Sequence, residues 1–204
     1  MKNLLNRIAE RRARALAQRV RPHLPASGRL LDIGSGTGHN AVALRQSTEL
    51  ELVEADVVDM SVVGNGPVVF DGRRLPFAGD AFSASLMMFI LQYPRDPVEL
   101  LTEARRVTHG RVVVLQSTYR GLMGLALLSM REFVLGRFAF AVARWVRFVK
   151  ASPCPLRPHS YFTQEGFREL ARRSGLEVKH VDTSRPFGLP VCRDLFVLEP
   201  LELQ

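Results

Sequence analysis

Leu30-Leu31-Asp32-Ile33-Gly34-Ser35-Gly36-Thr37-Gly38 is the stretch that decides how this chain is read. An apolar run carrying one acid passes straight into three glycines at alternating positions, and 39–46 then reads as a helix. Glycine there lets the backbone turn sharply between strand and helix, and lets a ligand approach without a Cβ in the way. A tight strand-to-helix turn alone would ask for the same residues. Two acids add weight to the ligand reading: Asp32 within the first strand, and Asp56 at the close of the next.

Asp56 stands about twenty residues past the loop, where an acid can accept from both hydroxyls of a ribose. Each such bond to a charged acceptor is worth roughly 1.5–3 kcal/mol. Glu54 and Asp59 are near enough in sequence to compete for the same task. A nicotinamide site would use G-x-G-x-x-G, whereas here the third glycine comes one residue early and His39 follows it. The spacing favours an adenosyl ligand that lacks a pyrophosphate.

Working outward, apolar positions at Leu4, Leu5, Ile8, Ala15, Leu16 and Val20 predict an amphipathic helix over 3–21, ended by Pro22 and Pro25. Strands are expected at 29–33, 51–55, 68–70, 84–91, 111–116, 176–181 and 195–198. Helices are expected at 98–107, where Leu100, Leu101 and Ala104 face inward, and from a Thr163 cap to about Ser174, with Gly175 as the stop. Strands alternating with helices predict a single α/β domain over 1–204, with helices on both faces of a mostly parallel sheet.

Composition agrees with an ordinary globular chain: 204 residues, 47% hydrophobic and 24% charged, with mean hydropathy near zero. Cys154 and Cys192 are too few for a disulfide scaffold and are not spaced as metal-ligand pairs, so a reducing compartment is expected and no metal site. Charge returns at Arg7 and Glu10, which breaks the apolar core a secretion signal needs, so the mature chain is expected to start where the sequence starts. No run of eighteen apolar residues occurs, and a span through 121–148 would bury Arg131 and Glu132.

The net charge of +8 is unevenly placed. Residues 1–30 hold Lys2 and seven arginines against Glu10, and residues 119–150 hold Arg120, Arg131, Arg137, Arg144, Arg147 and Lys150 against Glu132. The rest is net acidic. Two basic elements on an acidic body fit an anionic partner such as a phospholipid surface or nucleic acid, and equally two solvated helix faces.

The glycine loop and its two acids resemble the class I S-adenosylmethionine-dependent methyltransferases, particularly the small bacterial type grouped with quinone-biosynthesis and other small-molecule or lipid enzymes. Asp71-Gly72-Arg73-Arg74-Leu75-Pro76-Phe77 resembles that family's segment before the fourth strand. Phe82 to Leu91, Tyr93, Asp96-Pro97 and Glu103-Ala104-Arg105-Arg106-Val107 resemble its fourth strand and next helix, and Phe162-Thr163 to Gly175-Leu176 its last helix and turn. The resemblance implies a Rossmann-like seven-stranded sheet with the last strand antiparallel and S-adenosylmethionine as cofactor. It implies that Asp32 and Gly34, with Ser35, hold the methionine end, that Gly36 and Gly38 flank it, that Asp56 binds the ribose, and that Asp71 and Gly72 face the adenine. Two departures stand out: Phe82 is followed by Ser83 rather than an acid, and Gln92-Tyr93 replaces a histidine-rich turn.

Methyl transfer from a sulfonium can rest largely on alignment and exclusion of water. If the acceptor must lose a proton, Tyr93, His159 and Tyr161 are the candidate catalytic residues, with His180 as an outsider. The expected acceptor is a hydrophobic small molecule or lipid-like compound. On a helical wheel over 133–150, Val134, Leu135, Phe138, Val142, Trp145, Val146 and Val149 oppose Arg137, Arg144 and Arg147, so 119–155 is expected to be a helical lid or a membrane-facing insertion, and 1–25 a basic amphipathic helix. The expected setting is cytoplasmic, with peripheral attachment to an anionic membrane surface. An RNA methyltransferase using the basic helices is the alternative, as is a non-catalytic S-adenosylmethionine-binding homologue. Leu91-Gln92-Tyr93-Pro94 stands where base-nitrogen enzymes carry an Asn/Asp-Pro-Pro-aromatic run, and Pro153-Cys154 lies after the wrong strand to be a cytosine nucleophile, which ranks nucleic acid second.

Overall fold

The computed structural model describes residues 2–136, 158–185 and 190–201. Helix α1 (Lys2–Val20) and a short turn precede β1 (Arg29–Ile33), α2 (His39–Arg45), β2 (Glu51–Asp56), β3 (Val68–Val69) and β4 (Phe82–Met88). Then come α3 (Pro97–Val107), β5 (Thr108–Tyr119), α4 (Gly121–Arg131) continued by a wider turn at Glu132–Gly136, α5 (Gln164–Arg173), β6 (Leu176–Ser184) and β7 (Val191–Pro200). Local chemistry sets the ends. Asp96 caps α3 by accepting from the Val98 and Glu99 amides, with Pro97 in the first turn, and Thr163 caps α5 by accepting from Gly166 N–H at 2.9 Å.

The sheet has seven strands in the order β3-β2-β1-β4-β5-β7-β6, with β7 antiparallel to both its neighbours. Chain order reverses between β1 and β4, which opens a crevice at the carboxyl ends of those two strands. Alternation along the strands splits the interior in two. Leu31, Ile33, Val112 and Val114 meet α3 and α5, where Phe167 stacks on Phe196 with ring centres 3.9 Å apart. Leu30, Leu86, Val113 and Leu115 meet α1 and α2.

Several expectations are corrected. The inward face of α1 is Ala13, Ala17 and Val20, with Leu16 partly covered, while Leu4 and Ile8 are exposed. Alanines at that spacing let α1 approach α2 closely, and the larger side chains lie beyond the packed stretch. The strand expected over 84–91 runs Phe82–Met88 and ends because Phe89 adopts a left-handed backbone, φ +58°. β3 is only two residues, at the sheet edge, while β5 and β7 run longer than 111–116 and 195–198. Only the start of the expected 119–155 insertion, through Gly136, is described; the wheel residues beyond it, including Arg144 and Arg147, and Cys154 lie outside the described residues. Among the described residues no helix is long and apolar enough to cross a membrane.

Phe167 is fully buried between α5 and the sheet, so Phe167→Ala is expected to cost about 3–5 kcal/mol of unfolding free energy. Phe133→Ala, at a side chain 65% exposed, is expected to cost under about 0.5 kcal/mol. Urea denaturation of both variants against the parent checks the pair.

Candidate functional site

The loop after β1 is stitched to the end of β2. Gly34 and Ser35 amides donate to the Ala55 carbonyl at 2.7 and 3.3 Å, and the Gly36 amide donates to Asp56 Oδ2 at 2.8 Å. All three loop glycines have positive φ, of +77°, +58° and +80°. Their surroundings differ. A Cβ on Gly34 would stand 2.5 Å from Ile90 Cγ2, and one on Gly38 would collide with the Val63 carbonyl, whereas one on Gly36 would meet nothing within 4 Å. The outer two glycines answer to the protein's own packing, and the middle one faces open space in the crevice.

Asp32, Glu54 and Asp56 fall on the same sheet face, since Asp32 is opposite Glu54 in register and Asp56 lies two residues on. All three are buried. Burial first, then the charges of Glu54 and Asp56, push the Asp32 carboxyl up to about 7. Arg45 forms an ion pair with Glu54 at 2.7 Å, although both Glu54 oxygens are buried without a hydrogen-bond partner, and Asp59 accepts from the Ser61 amide and hydroxyl in its own loop. Burial also raises Asp56, against the Gly36, Val57 and Val58 amides, which favour its charged form. Asp32 Oδ2 and the Ser35 hydroxyl are buried without a hydrogen-bond partner. An unpaired carboxylate oxygen, an unpaired hydroxyl and a cradle open at Gly36 fit a ligand that brings a cationic N–H donor.

Asp71 lies just past β3, whose end is joined to β2 by the Phe70 amide on the Asp56 carbonyl. It is exposed, and its Oδ1 accepts from the Arg74 and Arg73 amides at 2.8 Å, which lowers its pKa and shapes the turn through Gly72. The candidate catalytic residues are brought together on a different wall. His159 and Ser160 amides donate to the Gln92 carbonyl at 2.7 and 3.2 Å, which sets 159–161 against the turn holding Tyr93. Burial, then the charge of Glu132, raises both the Tyr93 and the Tyr161 hydroxyl. Each therefore stays protonated and acts as a donor rather than a base. His180 is not part of this wall: it sits on the edge strand β6 with its ring stacked on His23, 5.1 Å away.

Sequence reasoning missed four contributors. Phe89 holds its strained backbone through its amide on the Leu115 carbonyl, while Gln92 Nε2 donates to the Phe89 carbonyl. The Arg12 guanidinium lies 5.7 Å from the Phe89 ring centre, and Arg131 donates to Ser117 Oγ and Glu132 Oε1. Nothing local in the sequence separates these residues from the chain's other arginines and phenylalanines.

A family profile described as a methyltransferase domain matches residues 5–181. The chain belongs to the methyltransferase domain family. It is 32% identical over 133 residues to an uncharacterized methyltransferase of Mycobacterium tuberculosis, a match covering 60% of this chain and 52% of that protein. The chain thus spans about half the length of the curated relatives it matches. Its fold is similar to that of an S-adenosylmethionine-dependent methyltransferase of Thermotoga maritima, with TM-score 0.61, 17% identity and coverage of 96% of this chain and 97% of that one. It is similar too to the Burkholderia thailandensis 1,6-didemethyltoxoflavin-N1-methyltransferase, solved with S-adenosylhomocysteine, with TM-score 0.59, 14% identity and coverage of 95% and 79%.

In the free protein, the Asp32 carboxyl is pushed up to about 7 in the folded state against an ordinary value of 3.8, so between those values the folded state holds a proton that the unfolded state has lost. The Asp32 contribution is therefore fully present below about pH 4 and is lost as pH rises through about 7. Urea midpoints of the parent are expected to fall between pH 5 and 8 relative to those of Asp32→Asn; parallel profiles would contradict the assignment.

Proposed function

We propose that this chain is an S-adenosylmethionine-dependent methyltransferase acting on a hydrophobic small-molecule or lipid-like acceptor. The observation behind that reading is the outer side of α4 and its continuation, where Leu122, Met123, Met130, Phe133 and Val134 are all exposed and recur on one side of the helix. The helix follows β5 directly, at the edge of the sheet where the glycine loop also lies, and Arg131 on Ser117 ties its end to that strand. A side facing RNA would be basic; this one is apolar.

In this reading Asp32, Gly34, Ser35, Gly36 and Gly38 hold the methionine end, Asp56 takes the ribose hydroxyls with its remaining lone pairs, and Asp71 with Gly72 borders the adenine. When bound, the cofactor supplies a methyl group on a positively charged sulfur that leaves as a neutral thioether. The chain's own task is to align the acceptor atom and exclude water. Tyr93 and Tyr161, protonated, donate hydrogen bonds that orient the acceptor. His159, pinned beside them through Gln92, receives the proton of an acceptor that must lose one.

Asp56→Ala is expected to weaken S-adenosylhomocysteine binding about ten- to a hundredfold, the equivalent of roughly 1.5–3 kcal/mol, by calorimetric titration. Incubation with methyl-labelled cofactor and separate lipid, small-molecule and RNA extracts is expected to label the lipid or small-molecule fraction, and label in the RNA fraction alone reverses the reading. The exposed apolar side of α4, together with the arginines of α1, also suits a protein resting on an anionic membrane surface. Flotation with vesicles containing anionic lipid at low salt is expected, with loss at high salt; recovery of all protein at the bottom of the gradient assigns the apolar side to the acceptor alone.

A further inference from the structure

Among the described residues Arg12 is a cation without a counterion. Among the described residues its guanidinium makes no hydrogen bond or ion pair, and its contact is with the ring of Phe89. The groups whose charges act on it are Arg193 and Arg131 on one side of the balance, and Glu132 and Tyr93 on the other. Glu132 is already engaged, 2.7 Å from Arg131. Its side chain is open to solvent, yet desolvation is the first cause of a pKa held below the ordinary arginine value, and repulsion from Arg193 and Arg131 the next. Phe89 directly follows β4, so the guanidinium over its ring stands, open to solvent, at the cleft by the carboxyl ends of β1 and β4.

The backbone places that cleft. Val113, Leu115 and Ser117 alternate onto the α1 face of β5, and Arg193 on β7 is the register partner of Ser117. Arg193, Ser117 with its donor Arg131, and Arg12 on α1 therefore converge over the carboxyl ends of β4 and β5, beside Tyr93. Beneath Arg12 is Phe89, a non-glycine residue at φ +58°, a strain that the amide of Phe89 on Leu115 and the Gln92 side chain hold in place. Like charges brought together above a strained aromatic are unfavourable for folding by themselves.

We infer that Arg12, Arg131 and Arg193 form a recognition site for an oxyanion carried by the methyl acceptor, a phosphate ester or carboxylate, with Phe89 as the floor of the site. The inference rests on the reading of this crevice as a methyltransferase site for a small apolar acceptor and narrows it to an amphiphilic anion: the apolar part meets the α4 side, and the charged head meets the arginines. Guanidinium groups suit this task because their planar donors match oxyanions two at a time.

Hexyl phosphate, hexanoate and hexanol, titrated by calorimetry into the full chain saturated with S-adenosylhomocysteine, test it. Hexyl phosphate or hexanoate is expected to bind at least tenfold more tightly than hexanol, with affinity falling as salt rises. Arg12→Gln and Arg193→Gln are each expected to weaken the anion at least tenfold and leave S-adenosylhomocysteine affinity unchanged, since neither residue borders the glycine loop. Equal affinity for the anions and hexanol, or indifference to both substitutions, overturns the inference while cofactor binding keeps the methyltransferase reading intact. A short RNA that binds where the alkyl anions do not, and loses affinity in Arg12→Gln, also overturns it. Absence of S-adenosylhomocysteine binding by the parent instead counts against the crevice reading on which the inference rests.

Discussion

The Asp56 carboxylate on the Gly36 amide, backed by the Ala55 carbonyl on Gly34 and Ser35, is the connection on which the rest of the site depends. It fixes the loop after β1 against the end of β2 and so gives the crevice its shape. The same contact draws Asp56 inward on the sheet face that already holds Asp32 and Glu54, with Arg45 as the cation answering Glu54. Three carboxyl groups on one buried face repel one another and lose hydration, which drives Asp32 toward its neutral form. A face organised only for stability would have apolar residues there. In the proposed reading a positive group entering the crevice relieves that repulsion, so affinity for a cationic ligand and the cost to the free protein would have one origin.

The two faces of the sheet divide their work accordingly. Against α3 and α5 the packing is aromatic and aliphatic, with Phe167 in ring contact with both Phe162 and Phe196. Against α1 and α2 it is built from alanines, leucines and valines that give way, toward the carboxyl ends of the strands, to Asp32, Ser117, Arg193 and Phe89. One face anchors the domain, and the other passes from core into site along the same strands.

That division explains what could be read from sequence. Strand and helix types were legible because periodicity, the Asp96-Pro97 cap and the Thr163 cap are local. The glycine loop was legible because both its turn and its open middle position require residues without a Cβ. Less legible were boundaries and faces set by tertiary contact. The α1 face was misread because Leu4 and Ile8 outrank alanine in hydrophobicity, yet close packing on α2 selects Ala13 and Ala17. β4 was extended through 91 because nothing in an apolar run announces that Phe89 leaves the strand with positive φ. Among the acids, Glu54 and Asp59 were separable from Asp56 only once Arg45 and Ser61 were seen to occupy them.

The acceptor side is harder to read than the cofactor side for a physical reason. A cofactor held by backbone amides and buried carboxyls needs particular residue types at particular spacings, since only a few conformations present those groups, and so it leaves a pattern in the sequence. An acceptor met, as proposed, by side chains from α1, the turn after β4, α4, 159–161 and β7 would need only that five separated segments arrive at one place. Arg12 is one of seven arginines in the first thirty residues, and its own sequence neighbourhood does not distinguish it. What distinguishes it is the ring of Phe89 below it and the repulsion of Arg131 and Arg193 beside it, and each of those is created by the order of the strands. The same sheet order that opens the crevice at the glycine loop thus brings together the arginines of the proposed acceptor site, although only the first leaves a motif in the chain.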